Sequence, residues 1–378
     1  MKKVLGIYYN SNFSEESFET GCGGSETWAI QLSKEFIRHG WHVIIFSKYE
    51  DWFLYNSGVE YVPLHLFASR IQYQNFDAFI FTRSLDQSYD IFVEYNKCEN
   101  IYLQSHDMFI WEGGIYNQKF NYTIHHKYNK VKKFIALTDF HKWELMTYNN
   151  IPENKIEVIG NGLDSDIFTK VDNENIKKDH SILWTSAFGR GGSILVNDIM
   201  PLVKKVIPDF KVHICGYGDE VPDDIKNNPN VEFLGTLSKE DYYREFKKHC
   251  CWFLPCVVVE DFGICAGEAA MCDCDIISPF KHGMKDVCWA FESLKMKNEF
   301  KVVESDNYHY GTYQLDMTEE AYYKACQEAA CSIIDSINNY NDENRKRIRK
   351  ICKDFIMKEH TWNNVVNKWI NMFELNLN

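Results

Sequence analysis

The chain has 378 residues, long for one small domain and comfortable for two, and its 45% hydrophobic and 15% aromatic content supplies two cores. A formal charge of -13 repels phosphate backbones and anionic lipid, so nucleic acid is excluded as an expected partner. No apolar run reaches the roughly 18 residues a membrane span needs, so no span is expected, though peripheral membrane contact stays open.

The N-terminus, MKKVLGIYYN, lacks the long apolar core and small-residue cleavage site of a signal peptide and reads as a first strand. With no export signal, the 13 scattered cysteines read as small apolar packing residues in a reduced, cytoplasmic protein. None form a CxxC pair, so no metal site is expected. Helical spacing of Ala29, Leu32 and Phe36 predicts a helix over 27–39, stopped by Gly40. HVIIFS, DAFIFT, IYLQS and KFIALT follow as short, near-continuous apolar runs, the signature of parallel strands covered on both faces.

Around Asn161-Gly162 the pattern breaks into a polar stretch, read as a linker between an N-terminal domain over 1–168 and a second domain over 178–357. Alternation then restarts: SILWTSAF, a helix over 196–206, KVHICGYG, VEFLGTLS, a helix over 239–249, CWFLPCVVV, a helix over 263–272, and DIISPF. A final amphipathic helix carries Trp362, Val365, Val366, Trp369 and Ile370 on one side. The expected fold class is α/β, with two Rossmann-like doubly wound domains and ligand binding in a cleft at the carboxyl ends of the strands.

The chemistry concentrates in VVVEDFGICAGEAA. Glu260 is expected at the carboxyl rim of a buried strand, and Gly263 frees the turn into the next helix. The amides of Gly263, Ile264 and Cys265 would then face an anion at the positive end of the helix dipole. Glu268, about one turn in, has two carboxylate oxygens suited to vicinal hydroxyls. The segment can hold a phosphate between two hydroxyl-bearing rings; alternatively it is only a helix start with an exposed acid.

The E-x7-E spacing, with an apolar strand and a proline before it and Ala-Ala-Met after it, resembles retaining nucleotide-sugar glycosyltransferases of family 4, which have the GT-B fold. GGSETWAIQLSKEFIRHGWHVIIFS, KIEVIGNGLDSDIF, VEFLGTLSKEDYYREFKKHCCWFLP and HTWNNVVNKWINMFE resemble further segments of that family in the same order, almost end to end. The resemblance implies that the last helix (360–378) returns to the N-terminal domain. It implies that Glu260 binds hydroxyls of the donor sugar and that the amides of Phe262, Gly263 and Ile264 serve sugar and diphosphate. Glu268 would take the ribose, and the backbone near Leu237 the base. Arg190 stands where the family has a lysine, and can clamp the diphosphate bidentately. The family's second cation has no counterpart, since its place falls near Ala187; either one cation does the work of two, or Arg83, Lys281 or Lys285 compensates. Gly23 and Gly24 resemble the glycine loop facing donor phosphates, and His106 the histidine facing the donor sugar. Arg83 and Asp107 are weaker candidates.

The activity implied is transfer of a sugar to an acceptor hydroxyl with retention, without a metal and with no cofactor beyond a UDP- or GDP-sugar co-substrate. The acceptor is a glycan, glycolipid or protein, approached by the aromatic-bearing loops over 15–22, 52–55 and 109–122. Asp164-Ser165-Asp166 and Asp273-Cys274-Asp275 mimic a metal-binding DxD pair but read as turn acids. Three alternatives remain: a non-catalytic sugar-nucleotide binder, a GT-B sugar-nucleotide epimerase, and a nicotinamide dehydrogenase. The last rests on GCGGSE, a partial G-x-G-x-x-G with Glu26 at the third glycine.

Overall fold

The computed structural model describes residues 2–13, 15–49, 52–55, 57–112, 118–122, 126–216, 221–303 and 313–375. The chain divides into two compact units, residues 1–162 with 360–378, and residues 163–359.

The first unit is built on an eight-stranded sheet: β1 (Val4–Tyr8), β2 (His42–Ser47), β3 (Phe53–Leu54), β4 (Glu60–Pro63), β5 (Ala78–Thr82), β6 (Ile101–Gln104), β7 (Val131–Ala136) and β8 (Ile156–Val158), in the order β8-β7-β6-β5-β1-β2-β4-β3. Pairing is parallel except for β3 on β4. The runs read as doubly covered strands are buried on both faces, β5 along its whole length. Helix α1 (Gly24–Arg38) turns Trp28, Ala29, Leu32 and Phe36 into the core. The C-terminal helix Trp362–Leu375 packs in the same cluster through Trp362, Val365, Trp369 and Phe373. Gly162 is the close approach that admits it, since a Cβ there would lie 2.3 Å from the Trp362 ring. The winding reverses beside β1, so the segments after β1, β5 and β6 meet at one carboxyl edge. Tyr9, Arg83 and His106 follow those three strands.

The second unit has parallel strands β9 (Ser181–Trp184), β10 (Lys211–Cys215) and β11 (Val231–Gly235) in one sheet, with β12 (Cys251–Phe253) and β13 (Asp275–Ile277) paired parallel. Two expectations change. The stretch read as a linker contains helix α2 (Ser165–Asp172), whose Phe168 and Val171 are buried; two apolar residues three apart suffice for one amphipathic turn despite the polar surroundings. CWFLPCVVV is a strand only to Phe253. Pro255 has no N–H for the ladder and Cys256 adopts φ +52°, so Glu260 sits in a buried loop seven residues past the strand rather than at its end. Helix α3 (Lys239–Lys248) is capped by Ser238 Oγ, which accepts from the Asp241 N–H, and α4 (Ile264–Met271) follows Gly263. The helix expected over 196–206 starts earlier, as a wide-turned segment Ile194–Ile199 running into Met200–Lys204.

Candidate active site

In the second unit the structure brings Arg190 and Glu260 together. Arg190 ends a short 3-10 turn after β9, and Gly191 continues it at φ +110°. A Cβ on Gly191 would lie 2.4 Å from Pro255 Cγ, so this turn can pack against the 254–260 loop only with glycine. The packing delivers the Arg190 guanidinium onto Glu260, with Nη1 donating to Oε1. The Glu260 carboxylate holds Arg190 above its ordinary range. Burial pushes Glu260 upward against the opposing pull of Arg190. Both side chains stay partly exposed, 28% and 15%, so the pair is reachable from solvent.

Gly263 stands at the head of α4 in the left-handed region, φ +81°. A Cβ there would come within 2.7 Å of Met284 Cγ, so two independent constraints fix glycine beside Phe262 and Ile264. Lys281, four residues past the end of β13, is engaged by Glu299, and Lys285 is exposed.

Glu268 is not the open acid its spacing suggested. It is 2% exposed, and its carboxylate accepts from Lys239 Nζ, from Tyr242 Oη at 3.0 Å and from Tyr243 Oη at 3.4 Å. Lys239 also lies 3.8 Å from Asp164 and over the rings of Tyr242 and Tyr243 at 4.8 and 5.6 Å. Burial pulls the ammonium down, but Glu268 and Asp164 outweigh it and hold Lys239 protonated. Sequence reasoning missed Lys239, Tyr242 and Tyr243, although KEDYYREF places all three within the first five residues of α3, close to Leu237. Asp164 therefore serves this ammonium, and Asp275 of the other DxD look-alike is buried against Arg345 and Arg349 at 2.5 and 2.8 Å. Each acid has a structural partner.

The first unit gathers its own set at the carboxyl edge. Arg83, at φ +61°, clamps Asp107 through Nε and Nη2 at 2.8 and 3.0 Å. His141 fixes the same loop: its Nδ1 accepts from the Leu137 N–H, so its Nε2–H donates to the Asp107 carbonyl at 3.0 Å. His106 packs edge-on against Trp28 at 5.0 Å, and its buried Nε2 has no hydrogen-bond partner among the described residues. Burial, then Arg83 and His141, push His106 well below its ordinary range, so it is a neutral imidazole with polar capacity to spare. The glycine loop differs from expectation. The Glu26 side chain folds back over Gly23, 2.4 Å from where a Cβ would stand, and its carboxylate accepts from Tyr9 Oη at 3.1 Å. An acid occupies the space left for a close approach.

Of the aromatic loops, Trp52 is 58% exposed, lies beneath Arg70, and with His42, Phe53 and Glu60 lines a hollow of about 270 Å³. Phe109 and Trp111 are buried packing residues. Residues 113–117 of that loop lie outside the described residues.

Residues 22–167 match the family model described as Glycosyltransferase Family 4. No curated protein is matched by sequence. Among solved structures, a glycosyltransferase from Rickettsia africae ESF-5 is similar at 17% identity and a TM-score of 0.69, covering 100% of this chain and 99% of that one. Anabaena HepE in complex with UDP and glucose is similar at 14% identity and 0.64, over 98% of this chain and 99% of that one. Sucrose-phosphate synthase from Thermosynechococcus elongatus follows at 11% and 0.63, over 100% and 99%. At these identities the likeness to the solved structures is one of fold.

Proposed function

We propose that this chain, a GT-B glycosyltransferase of the family 4 type, moves a sugar from a nucleoside-diphosphate sugar to an acceptor hydroxyl with retention, and without a metal ion at the transfer step. The observation that carries the reading is the meeting of Arg190 and Glu260 beside Gly263 at the head of α4. An anion seated at Gly263 and Ile264 would face unpaired helix amides and, once Arg190 turns from Glu260, a guanidinium able to hold two phosphate oxygens. Glu260, released from Arg190, would accept from sugar hydroxyls. HepE, bound to UDP and glucose, supports a nucleotide sugar as the donor class.

The chemistry needs charge compensation as the diphosphate leaves, and Arg190 with the α4 amides supplies it. In a same-face route the departing phosphate oxygen takes the proton of the incoming hydroxyl, so no protein nucleophile is required. The ribose reading for Glu268 requires Lys239 to yield an oxygen; Asp164, 3.8 Å from its ammonium, is the acid that would receive it. His106 is the first unit's candidate for a sugar hydroxyl, on the strength of its spare Nε2. We assign the protein to the cytoplasm; no described helix is long and apolar enough to cross a membrane.

The test begins with a thermal-shift screen over nucleoside diphosphates and their sugars, since a bound donor raises apparent stability. With the donor in hand, Arg190→Ala and Glu260→Ala should each lower transfer by about 100-fold or more with the fold retained. Near-normal rates in both would overturn the site assignment, and donor binding without transfer or with epimerised donor would identify the alternative classes.

A further inference from the structure

Away from the residues discussed so far, the second unit buries a second cluster. His213 lies in the middle of β10, and Glu245 and His249 stand four residues apart at the far end of α3. All three are buried, His249 completely. Glu245 Oε1 lies 2.6 Å from His213 Nδ1 and 3.3 Å from His249 Nε2.

The protonation pattern leaves one contact unexplained. The Ser181 hydroxyl has a single hydrogen, and it donates to Asp179. Ser181 Oγ therefore accepts from His249 Nδ1–H, at 2.7 Å. The other nitrogen of the neutral ring, Nε2, then carries a lone pair. It is buried, has no hydrogen-bond partner of good geometry among the described residues, and faces a carboxylate oxygen 3.3 Å away. In that tautomer two lone pairs face each other at a buried site, an arrangement that a bound cation relieves.

We propose that His213 Nδ1, Glu245 Oε1 and His249 Nε2 bind one divalent transition-metal ion of the zinc type, with a fourth position open to water. The three atoms lie within 4.8 Å of one another. Ligand bonds of about 2.0–2.1 Å at tetrahedral angles separate ligand atoms by about 3.3 Å. The Glu245–His249 separation already has that value, and the His213–Glu245 hydrogen bond widens as the metal replaces its proton. The outer contacts suit the role. Glu232 lies 3.6 Å from the remaining His213 nitrogen, Asp179 and Ser181 orient His249, and Lys248 holds the second Glu245 oxygen at 2.5 Å. Two imidazoles and one carboxylate favour zinc over magnesium or calcium. The ion would fasten the C-terminal end of α3 to β10, while the N-terminal end, about 15 Å away, carries Lys239. This departs from the sequence expectation of no metal, and it stands independently of the transfer reaction.

The experiment uses the full chain, stripped with a chelator and titrated with Co²⁺ and Zn²⁺. The expected result is one equivalent per chain, a visible Co²⁺ band of tetrahedral intensity, and a raised melting temperature with Zn²⁺. Glu245→Gln and His213→Gln should each weaken binding at least 100-fold. The proposal is overturned by the lack of a Co²⁺ band in the wild-type chain, or by binding that both variants retain in full. Should either variant fail to fold, the wild-type titration and its stoichiometry still decide.

Discussion

Replacing Lys239 with methionine keeps the stem and removes the ammonium that sits between Glu268 and Asp164. Both acids are nearly buried, 2% and 5% exposed, so the substitution strands negative charge in a low-dielectric site. Removing one partner of a fully buried pair costs about 3–5 kcal/mol. Here the ammonium retains 20% exposure, and Tyr242 and Tyr243 go on donating to Glu268, which lowers the expectation to about 2–3 kcal/mol. For a unit of this size that is a fall in melting temperature of about 5–10 °C. The assay is a double-mutant cycle by denaturant unfolding with Lys239→Met, Glu268→Gln and the pair. Neutralising Glu268 as well removes the stranded charge, so the double variant should be more stable than additivity predicts, by at least about 1 kcal/mol. The same proteins report on the ribose. Wild-type chain should be stabilised more by the ribonucleoside diphosphate than by its dideoxy analogue, and Glu268→Gln should lose that preference. Additive energies would refute the ion pair, and an unchanged preference in Glu268→Gln would refute the ribose role.

Two further outcomes follow from the loop around the site. Gly263→Ala combines a left-handed backbone with a Cβ 2.7 Å from Met284 and should cost about 2–4 kcal/mol in denaturant midpoint; adding Met284→Ala should return the steric share and leave the backbone share. His282 is lowered to about 4 by burial, then by Lys281 and Lys285, so the folded chain resists a proton that the unfolded chain accepts near 6.5. Stability from this group is therefore complete above about pH 6.5 and falls as pH drops toward 4, by at most about 3 kcal/mol, and His282→Gln should flatten that slope in urea midpoints measured across the window.

How far the sequence could be read depended on whether a signal was local. Most strands of both units are short apolar runs between turn residues, and runs such as Ala78–Thr82 and Ser181–Trp184 formed strands buried on both faces because that burial is encoded within the run itself, whereas Val231–Gly235 formed a strand while staying partly exposed. The exception, CWFLPCVVV, shows the limit. It is apolar throughout and buried from Cys251 to Val258, yet only its first three residues enter the ladder, because hydropathy records burial and not hydrogen bonding. Pro255 was the local sign of the break. Arg190 and Glu260, 70 residues apart, were each legible as a charge beside a glycine, and the glycines are what bring them together: Gly191 admits Pro255, and Gly263 admits Met284.

What the sequence concealed is the partner of each acid. An E-x7-E spacing says that two carboxylates exist near one helix, and nothing about whether a lysine 29 residues earlier has already claimed one of them. The same blindness covers His213, Glu245 and His249. Glu245 and His249 share a helical face and could be paired by counting, but His213 is 32 residues before Glu245, on a strand, where a lone histidine looks like core. Only the fold reveals that Ser181 Oγ stands 2.7 Å from His249 Nδ1 while Glu245 lies 3.3 Å from its Nε2. Helix α3 thus joins both hidden features, with Lys239 at its first turn and His249 just past its last. A cation that secures one end of this helix would limit how freely Lys239 moves between Glu268 and Asp164. The stability cost of Lys239→Met and the metal dependence of the melting temperature are then properties of one helix, and should couple: in the metal-loaded chain, Lys239→Met should cost more than in the stripped chain, where α3 can shift to relieve the stranded charge.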